Sequence, residues 1–255
     1  MSGAETNQRT AGKTLIKICG ITDVETLTAI RRMPIDYIGF VFANSRRKVT
    51  PVQTAEFIKL LKEAREYEAA GIAGGREIPQ TVGVFVEPSR EMLTDVLSVA
   101  PLDVVQLHSS EPPEFCNWIK ETFAVKVFRV LSFTETAAEN SSGEEEVEAA
   151  YARLAPYQGS VDAFLLDTFD PVYGGGSGKT FPWEAIPAYR EAARMLNLKL
   201  IVAGGLHSDN VGTLVRTYFP DGVDVSSGVE TNGKKDIAKI AAFVERVRSC
   251  DQPSA

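Results

Sequence analysis

The sequence has few of the residues that build metal centres and disulfide frameworks. Its 255 residues include three cysteines, Cys19, Cys116 and Cys250, and two histidines, His108 and His207. Because the cysteines are odd in number and widely spaced, they form neither a disulfide framework nor a zinc knuckle. A site with two histidine ligands would need both histidines, from the ends of two different strands. The sequence therefore predicts no metal site.

Long hydrophobic runs and an excess of positive charge are also missing. No apolar run approaches the roughly 18 residues of a spanning helix, and the N-terminus, MSGAETNQRTAGK, has no hydrophobic segment of the signal-peptide kind. The formal net charge is -7. Nucleic-acid binding depends on clustered Lys and Arg that dominate locally. We therefore expect a cytoplasmic protein with no membrane and no nucleic-acid partner.

What the sequence does contain is a repeated alternation of short apolar runs and helical patterns. Such alternation requires right-handed crossovers and a parallel sheet. Eight repeats match the roughly 250 residues of a closed barrel, so we predict the α/β class and a single (β/α)₈ TIM barrel with eight parallel strands. A doubly wound open sheet is the alternative. The predicted strands are residues 15–19, 35–42, 81–86, 102–108, 124–131, 161–168, 198–206 and 222–230.

The rest of the chain is assigned by composition. Residues 1–13 are small and polar and are predicted to be a flexible N-terminal extension, residues 14–250 the barrel domain, and residues 251–255 a C-terminal tail. Within the barrel domain, the ranges 64–79 and 132–150 are expected to be surface elaborations. The first ends in a glycine-rich stretch, and the second has a Ser-Ser-Gly and Glu-rich centre.

Several polar residues fall where predicted strands end. In barrels of this kind the carboxyl ends of the strands and the following loops form the active face. Each residue alone has an ordinary explanation, such as a cysteine that fills the core or a basic run that is solvated. Convergence from at least five strands is hard to explain by packing, so we expect an active site there. The residues are Cys19, Arg46, Arg47, His108, Asp167 and Lys179, together with the Gly-rich and Ser-rich turns of the seventh and eighth strands. Of these, His108 is favoured as a structural or loop-supporting residue.

Three glycine-rich segments bear on phosphate binding. The segment GGGSGKT (174–180) fails the nucleotide-binding loop pattern, because Tyr173 stands where the first glycine is required. It is interpreted as a mobile loop that closes over a substrate, or as a flexible linker. The turns AGGL (203–206) and VSSGVE (225–230) follow consecutive strands, where such barrels usually bind phosphate. Glycines that merely permit tight turns are the alternative.

Nine motifs, taken in order, resemble the phosphoribosylanthranilate isomerase family of tryptophan biosynthesis, and the resemblance spans roughly residues 14–248. They are KICG (17–20), GFVF (39–42), SRR (45–47) with Val49 and Pro51, VGVFV (82–86), VQLH (105–108), LLDT (165–168), GGSGKTF (175–181), AGGL (203–206) and DVSSGVE (224–230).

The resemblance implies a (β/α)₈ barrel without metal or organic cofactor. It implies an Amadori rearrangement of N-(5-phosphoribosyl)anthranilate with Cys19 as general base and Asp167 as general acid. A free thiol has a pKa of about 8.5, so the base role calls for a lowered pKa. The implied substrate-binding residues are Arg47 for the anthranilate carboxylate and, for the phosphate, Gly205, Ser226, Ser227 and Gly228. Because the loop ANSRRK looks about one residue shorter than in many relatives, the contact could come from Arg46 instead.

Two other functions fit part of the pattern. The histidine-pathway aminoaldose isomerase resembles this chain in fold and reaction, but it has an aspartate where this chain has Cys19. A non-catalytic sugar-phosphate-binding barrel would keep the glycine turns without needing Cys19 and Asp167 together. In each case the expected partner is a phosphorylated small molecule, and the expected assembly is a monomer or a homodimer.

Overall fold

The computed structural model describes residues 12–69, 78–133, 143–168 and 183–252, and it confirms the predicted barrel. Eight parallel strands form one closed sheet in chain order. The first and last strands pair in register, with Ile16 opposite Val223, so the open-sheet alternative is excluded. The strands are β1 (Leu15–Cys19), β2 (Tyr37–Val41), β3 (Gln80–Phe85), β4 (Val104–Leu107), β5 (Lys126–Phe133), β6 (Ala163–Thr168), β7 (Lys199–Val202) and β8 (Gly222–Val225).

A helix follows each strand, and local signals fix where several of them begin. Asp23 and Ser89 accept hydrogen bonds from backbone amides of the first helical turn, and Pro51 is the first residue of its helix. In the helix after β7, His207 is the N-cap, with Asn210 completing a capping box. The helices are α1 (Val24–Ile30), α2 (Pro51–Ala69), α3 (Arg90–Val99), α4 (Pro113–Phe123), α5 (Gly143–Leu154), α6 (Ile186–Met195), α7 (Ser208–Tyr218) and α8 (Ile237–Cys250).

Alternation along each strand divides the side chains between two environments. On β1, Ile16 and Ile18 pack in the layer between sheet and helices, while Leu15 packs against the apolar cluster inside the barrel. Successive side chains of a strand point to opposite faces, so the inward positions beyond that cluster come two and four residues later. The inner cluster is Tyr37, Val82, Val104, Phe128, Val130, Ala163, Leu165 and Ile201. One end of the barrel interior is therefore filled by apolar side chains.

The last two strands end earlier than the sequence predicted. Strand β7 stops at Val202 and β8 at Val225, whereas 206 and 230 were expected. Gly204 and Gly205 have φ of 81° and 61°, which an extended strand does not allow. After β8 the chain forms a 3₁₀ turn, Ser227–Val229, and then a small antiparallel hairpin of β9 (Glu230–Thr231) and β10 (Lys234–Lys235). Both apolar runs thus end in irregular backbone at the same end of the barrel.

The less regular ranges are described only in part. The helix predicted from Trp183 starts as a 3₁₀ turn before α6. The range 64–79 includes the end of α2, and the range 132–150 includes the beginning of α5, in which Ala150 and Leu154 are buried. Five ranges lie outside the described residues: 1–11, 70–77, 134–142, 169–182 and 253–255. The fourth contains the GGGSGKT segment and Lys179. None of the helices in the described ranges is both long and apolar enough to cross a membrane.

Candidate active site

One pocket at the carboxyl ends of the strands brings together most of the residues predicted for the site; Arg46 is not part of its lining, and Lys179 lies outside the described residues. Its lining includes the two predicted catalytic side chains, Cys19 and Asp167. It also includes the predicted substrate-binding residues Arg47, Gly205, Ser226, Ser227 and Gly228. The remaining polar side chains of the lining are Asn44, Ser45, Gln106, His108 and Asp224.

Cys19 ends β1 and is almost completely buried. It pairs with Gly39 of β2, and a Cβ atom on that glycine would lie 2.9 Å from the Cys19 sulfur. A side chain at position 39 would therefore crowd the thiol, and glycine avoids this contact. Burial raises the pKa of the Cys19 thiol; the positive charges of Lys17 and Lys235 oppose this, and the Asp224 carboxylate adds to it. The lowered pKa expected for a base is thus not found in the substrate-free chain.

Asp167 lies on β6 across from Ser132 of β5, and its carboxylate is buried beside a histidine. The distance from His108 Nε2 to Asp167 Oδ2 is 3.6 Å. Burial lowers the pKa of His108 to about 4, with the charge of Lys17 acting in the same direction. His108 is therefore a neutral imidazole at neutral pH that lines the pocket.

At the edge of the pocket, three cationic side chains surround the buried carboxylate of Glu230. Arg47 donates from Nε to Glu230 Oε1 at 2.6 Å and from Nη2 to Oε2 at 3.0 Å. Arg46 and Lys235 bind the same carboxylate, at 2.6 and 2.9 Å. Burial alone would raise the pKa of Glu230, but its hydrogen bond from Arg47 and its contacts with Lys235 lower it to about 2. Three cations around one carboxylate leave an excess of positive charge beside the pocket.

Of the two arginines of the SRR segment, Arg47 is the one that reaches the pocket. Arg47 lines it and its side chain is 13% exposed, whereas the Arg46 side chain is 58% exposed. Gly20 makes room for the Arg47 side chain, since a Cβ there would lie 2.5 Å from Arg47 Cδ. With Nε and one Nη2 proton engaged by Glu230, Arg47 presents its Nη1 and Nη2 edge to an anion.

The turns after β7 and β8 pack directly against each other. A Cβ atom on Gly228 would overlap the carbonyl oxygen of Leu206, so only glycine permits this approach. Asn210 Nδ2 donates to the Gly205 carbonyl at 2.9 Å, and Ser226 Oγ donates to the Cys19 carbonyl at 3.2 Å. The two turns are therefore held close to each other and to the end of β1. Small residues and exposed backbone in such a place suit a phosphate group.

Several polar residues near the pocket were not predicted from the sequence. Lys17, Gln106 and Asp224 lie two residues before Cys19, His108 and Ser226, on the same inward side of β1, β4 and β8. A polar residue two positions before a strand-end polar residue, inside a short apolar run, is the signal that could have identified them. The pair Glu230 and Lys235 had no such signal, because it depends on the hairpin.

In the part of the chain that the structure describes, no cluster of three or more His, Cys, Asp or Glu side chains is arranged to hold a metal ion. Cys116 is buried in the core as predicted, and Cys250 lies near the C-terminal end of α8. The chemistry available in the described pocket is therefore that of a thiol, carboxylates, a neutral imidazole and cations.

Comparison with known proteins agrees with this geometry. The family model described as N-(5'-phosphoribosyl)anthranilate (PRA) isomerase matches residues 16–246. A Brevibacillus brevis protein named N-(5'-phosphoribosyl)anthranilate isomerase is 43% identical over 241 residues, which is 94% of this chain and 96% of that protein.

Two solved structures share the fold over most of the chain. One shows monomers generated from the dimeric phosphoribosylanthranilate isomerase of Thermotoga maritima, with 30% identity, a TM-score of 0.68 and coverage of 92% of this chain and 99% of that one. The other is a phosphoribosyl anthranilate isomerase in complex with reduced 1-(o-carboxyphenylamino)-1-deoxyribulose 5-phosphate, with 30% identity, a TM-score of 0.67 and the same coverage. The chain belongs to the N-(5'-phosphoribosyl)anthranilate isomerase family, whose members are enzymes of tryptophan biosynthesis.

Proposed function

We propose that this pocket catalyses the Amadori rearrangement of N-(5-phosphoribosyl)anthranilate to 1-(2-carboxyphenylamino)-1-deoxyribulose 5-phosphate. One observation carries the proposal. A single pocket is lined by a thiol, a buried carboxylic acid, an arginine that belongs to a cationic cluster, and two small-residue turns. That arrangement suits a substrate with a carboxylate at one end and a phosphate at the other.

Asp167 is the general acid in this proposal. It protonates the furanose ring oxygen, and the ring opens to a Schiff base. Its carboxyl group is buried, and the imidazole 3.6 Å away is neutral and therefore does not compete as a charged acid. A proton donor placed within reach of the leaving oxygen is what this step requires.

Cys19 is the general base. Its thiolate removes the proton from C2 of the Schiff base, which gives an enolamine that tautomerises to the ketone. Because burial raises the pKa of the thiol, the thiolate depends on positive charge nearby. Cys19 is almost completely buried, so such charges act in a medium of lower dielectric constant than water.

The two ends of the substrate bind to different groups of the pocket. Arg47 binds the anthranilate carboxylate through the guanidinium edge that Glu230 leaves open. The phosphate is bound through backbone amides and hydroxyl groups of Gly205, Ser226, Ser227 and Gly228.

We also propose that the reaction needs no metal or organic cofactor, and that the chain acts in the cytoplasm as a monomer or a homodimer. The cofactor proposal is tested by measuring whether activity survives EDTA. The assembly proposal is tested by sedimentation in solution.

Turnover of two substrates tests the function. Wild type, Cys19→Ser and Asp167→Asn are compared on phosphoribosylanthranilate and on the histidine-pathway aminoaldose substrate. Wild type is expected to convert the first, and each variant to lose most of kcat while remaining folded. If wild type converts neither substrate but still binds a sugar phosphate, the chain is a binding barrel and the proposal fails. Near-normal kcat in Cys19→Ser would remove the thiol from its role.

A further inference from the structure

Lys17 is a buried charge that the proposed reaction does not use as acid, base or substrate ligand. It lies in the middle of β1, between Leu15 and Cys19 on the inward side of the strand, and it is 1% exposed. Most barrels of this type fill that layer with Val, Ile or Leu. An ammonium in such a position costs desolvation free energy unless it is well paired.

Its partner is fixed by the strand register. Lys17 of β1 stands directly opposite Asp224 of β8, and Lys17 Nζ lies 2.7 Å from Asp224 Oδ2. The other oxygen, Asp224 Oδ1, is buried and has no hydrogen-bond partner among the described residues. Replacing such a pair by apolar side chains is often neutral or stabilising. Stability alone therefore gives little reason for the pair.

Lys17 lies two residues before Cys19 on the same inward side of β1, so the pair adjoins the thiol along the strand. The charged groups that act on the Cys19 sulfur are Lys17 from β1, Asp224 from β8 and Lys235 from β10. His108, which directly follows β4, lines the same pocket and is neutral. Its pKa is lowered by the charge of Lys17 and raised by that of Asp224. Of the charges near the sulfur, that of Lys17 has the largest effect, and it favours the thiolate.

We propose that Lys17, oriented by Asp224, is a positioning residue whose ammonium serves as the counter-ion of the Cys19 thiolate. The inference rests on the proposed function. When the S–H bond breaks, its electron pair stays on sulfur and the proton leaves to solvent. The thiolate then takes the C2 proton of the substrate and becomes a thiol again. Lys17 remains an ammonium throughout, so no other reactant is needed.

Alkylation of Cys19 by iodoacetamide tests this inference without turnover. The pH at which the rate reaches half its maximum reports thiolate formation, and Cys19→Ser gives the background from Cys116 and Cys250. In Lys17→Met this midpoint is expected to rise by about one pH unit or more. The kcat should fall about tenfold or more, and KM should be nearly unchanged. Lys17→Arg, which keeps the charge, should recover part of the shift. The matched control is Lys120→Met, since Lys120 pairs with Asp162 at 3.1 Å away from the pocket.

Two results would overturn the inference. The first is a wild-type alkylation midpoint in a Lys17→Met variant whose circular dichroism matches wild type. The second is an unchanged kcat in that variant. If Lys17→Met does not fold, the double variant Lys17→Met with Asp224→Asn removes both charges together. Because the Asp224 carboxylate raises the pKa of the thiol, the midpoint should then rise by less than in the single variant, and a midpoint at or below that of wild type overturns the inference. If wild type turns over no substrate, the proposed function fails, while the alkylation midpoints still test the role of Lys17.

Discussion

Arg47 and Glu230 form a two-bond ion pair in which the guanidinium edge from Nε to Nη2 faces the carboxylate. The carboxylate is also bound by Arg46 and by Lys235, so Glu230 sets the orientation of Arg47 from a buried, multiply bonded position. An arginine on a loop loses much side-chain freedom when it binds an anion. Here part of that freedom is already lost before substrate arrives.

Glu230→Gln should therefore weaken substrate binding. Loss of charge-assisted hydrogen bonds to Arg47 is worth about 1.5–3 kcal/mol, which corresponds to KM rising about tenfold or more, with a smaller change in kcat. Steady-state kinetics at fixed salt measures this. Arg46→Ala is the control, because its exposed side chain should contribute little. Equal KM effects in the two variants would contradict the assignment of Arg47 to the pocket.

The Gly228 backbone should not accept a side chain. Gly228→Ala would force a methyl group into the Leu206 carbonyl and move the turn after β8 away from the turn after β7. We expect the free energy of unfolding to fall by about 1–3 kcal/mol, as in overpacked cores, and KM for the phosphorylated substrate to rise. Urea unfolding and steady-state kinetics measure the two effects. Gly143→Ala is the matched control, since a Cβ there meets nothing within 4 Å; a similar loss in both variants would refute the explanation.

His108 should make stability depend on pH. Its pKa is about 4 in the folded chain and near 6.5 when unfolded. Between these values the unfolded state binds more protons, so the free energy of unfolding falls as pH drops from 6.5 to 4. The full contribution of His108 to the free energy of unfolding, lost over this pH range, is on the order of 3 kcal/mol. Urea unfolding of wild type and of His108→Gln should diverge over this window, and parallel curves would show that the imidazole is not held neutral.

The range 132–150 should tolerate shortening only in its first part. Ala150 and Leu154 of α5 are buried, and α5 packs against α6, so a deletion that reaches this helix should unfold the chain. A deletion within residues 134–142 that restores a short connection should leave kcat intact, and so should one within 70–77. Active-site titration with turnover tests this. A large loss of kcat in a well-folded deletion variant would show that these residues take part in the reaction.

Much of the site was predictable because polar residues stood at the ends of apolar runs. Cys19 is the last residue of β1, His108 directly follows β4, and Asp167 is the last residue but one of β6. The carboxyl ends of parallel strands meet at one end of a barrel. The pattern needs only strand positions, which the apolar runs gave to within a few residues.

Features that depend on register or burial were not predictable in the same way. The pairing of Lys17 with Asp224 follows from closure of β1 against β8, which places residues far apart in sequence opposite each other. The raised pKa of Cys19 reflects how completely the barrel covers the thiol, and no local sequence pattern reports that. The N-cap His207 also departed from the preferred capping residues.

The hairpin after β8 has a consequence for which substrates fit. Lys235 Nζ binds the Ser226 carbonyl at 2.8 Å and Glu230 Oε1 at 2.9 Å, so one short piece of chain carries both the turn proposed for phosphate and the carboxylate that orients Arg47. The separation between the turn proposed for phosphate and the carboxylate that orients Arg47 is thereby set within residues 226–235. We therefore expect a sugar phosphate that lacks the aromatic acid, or one with a longer spacer, to bind more weakly, because it can satisfy only one of the proposed sites at a time.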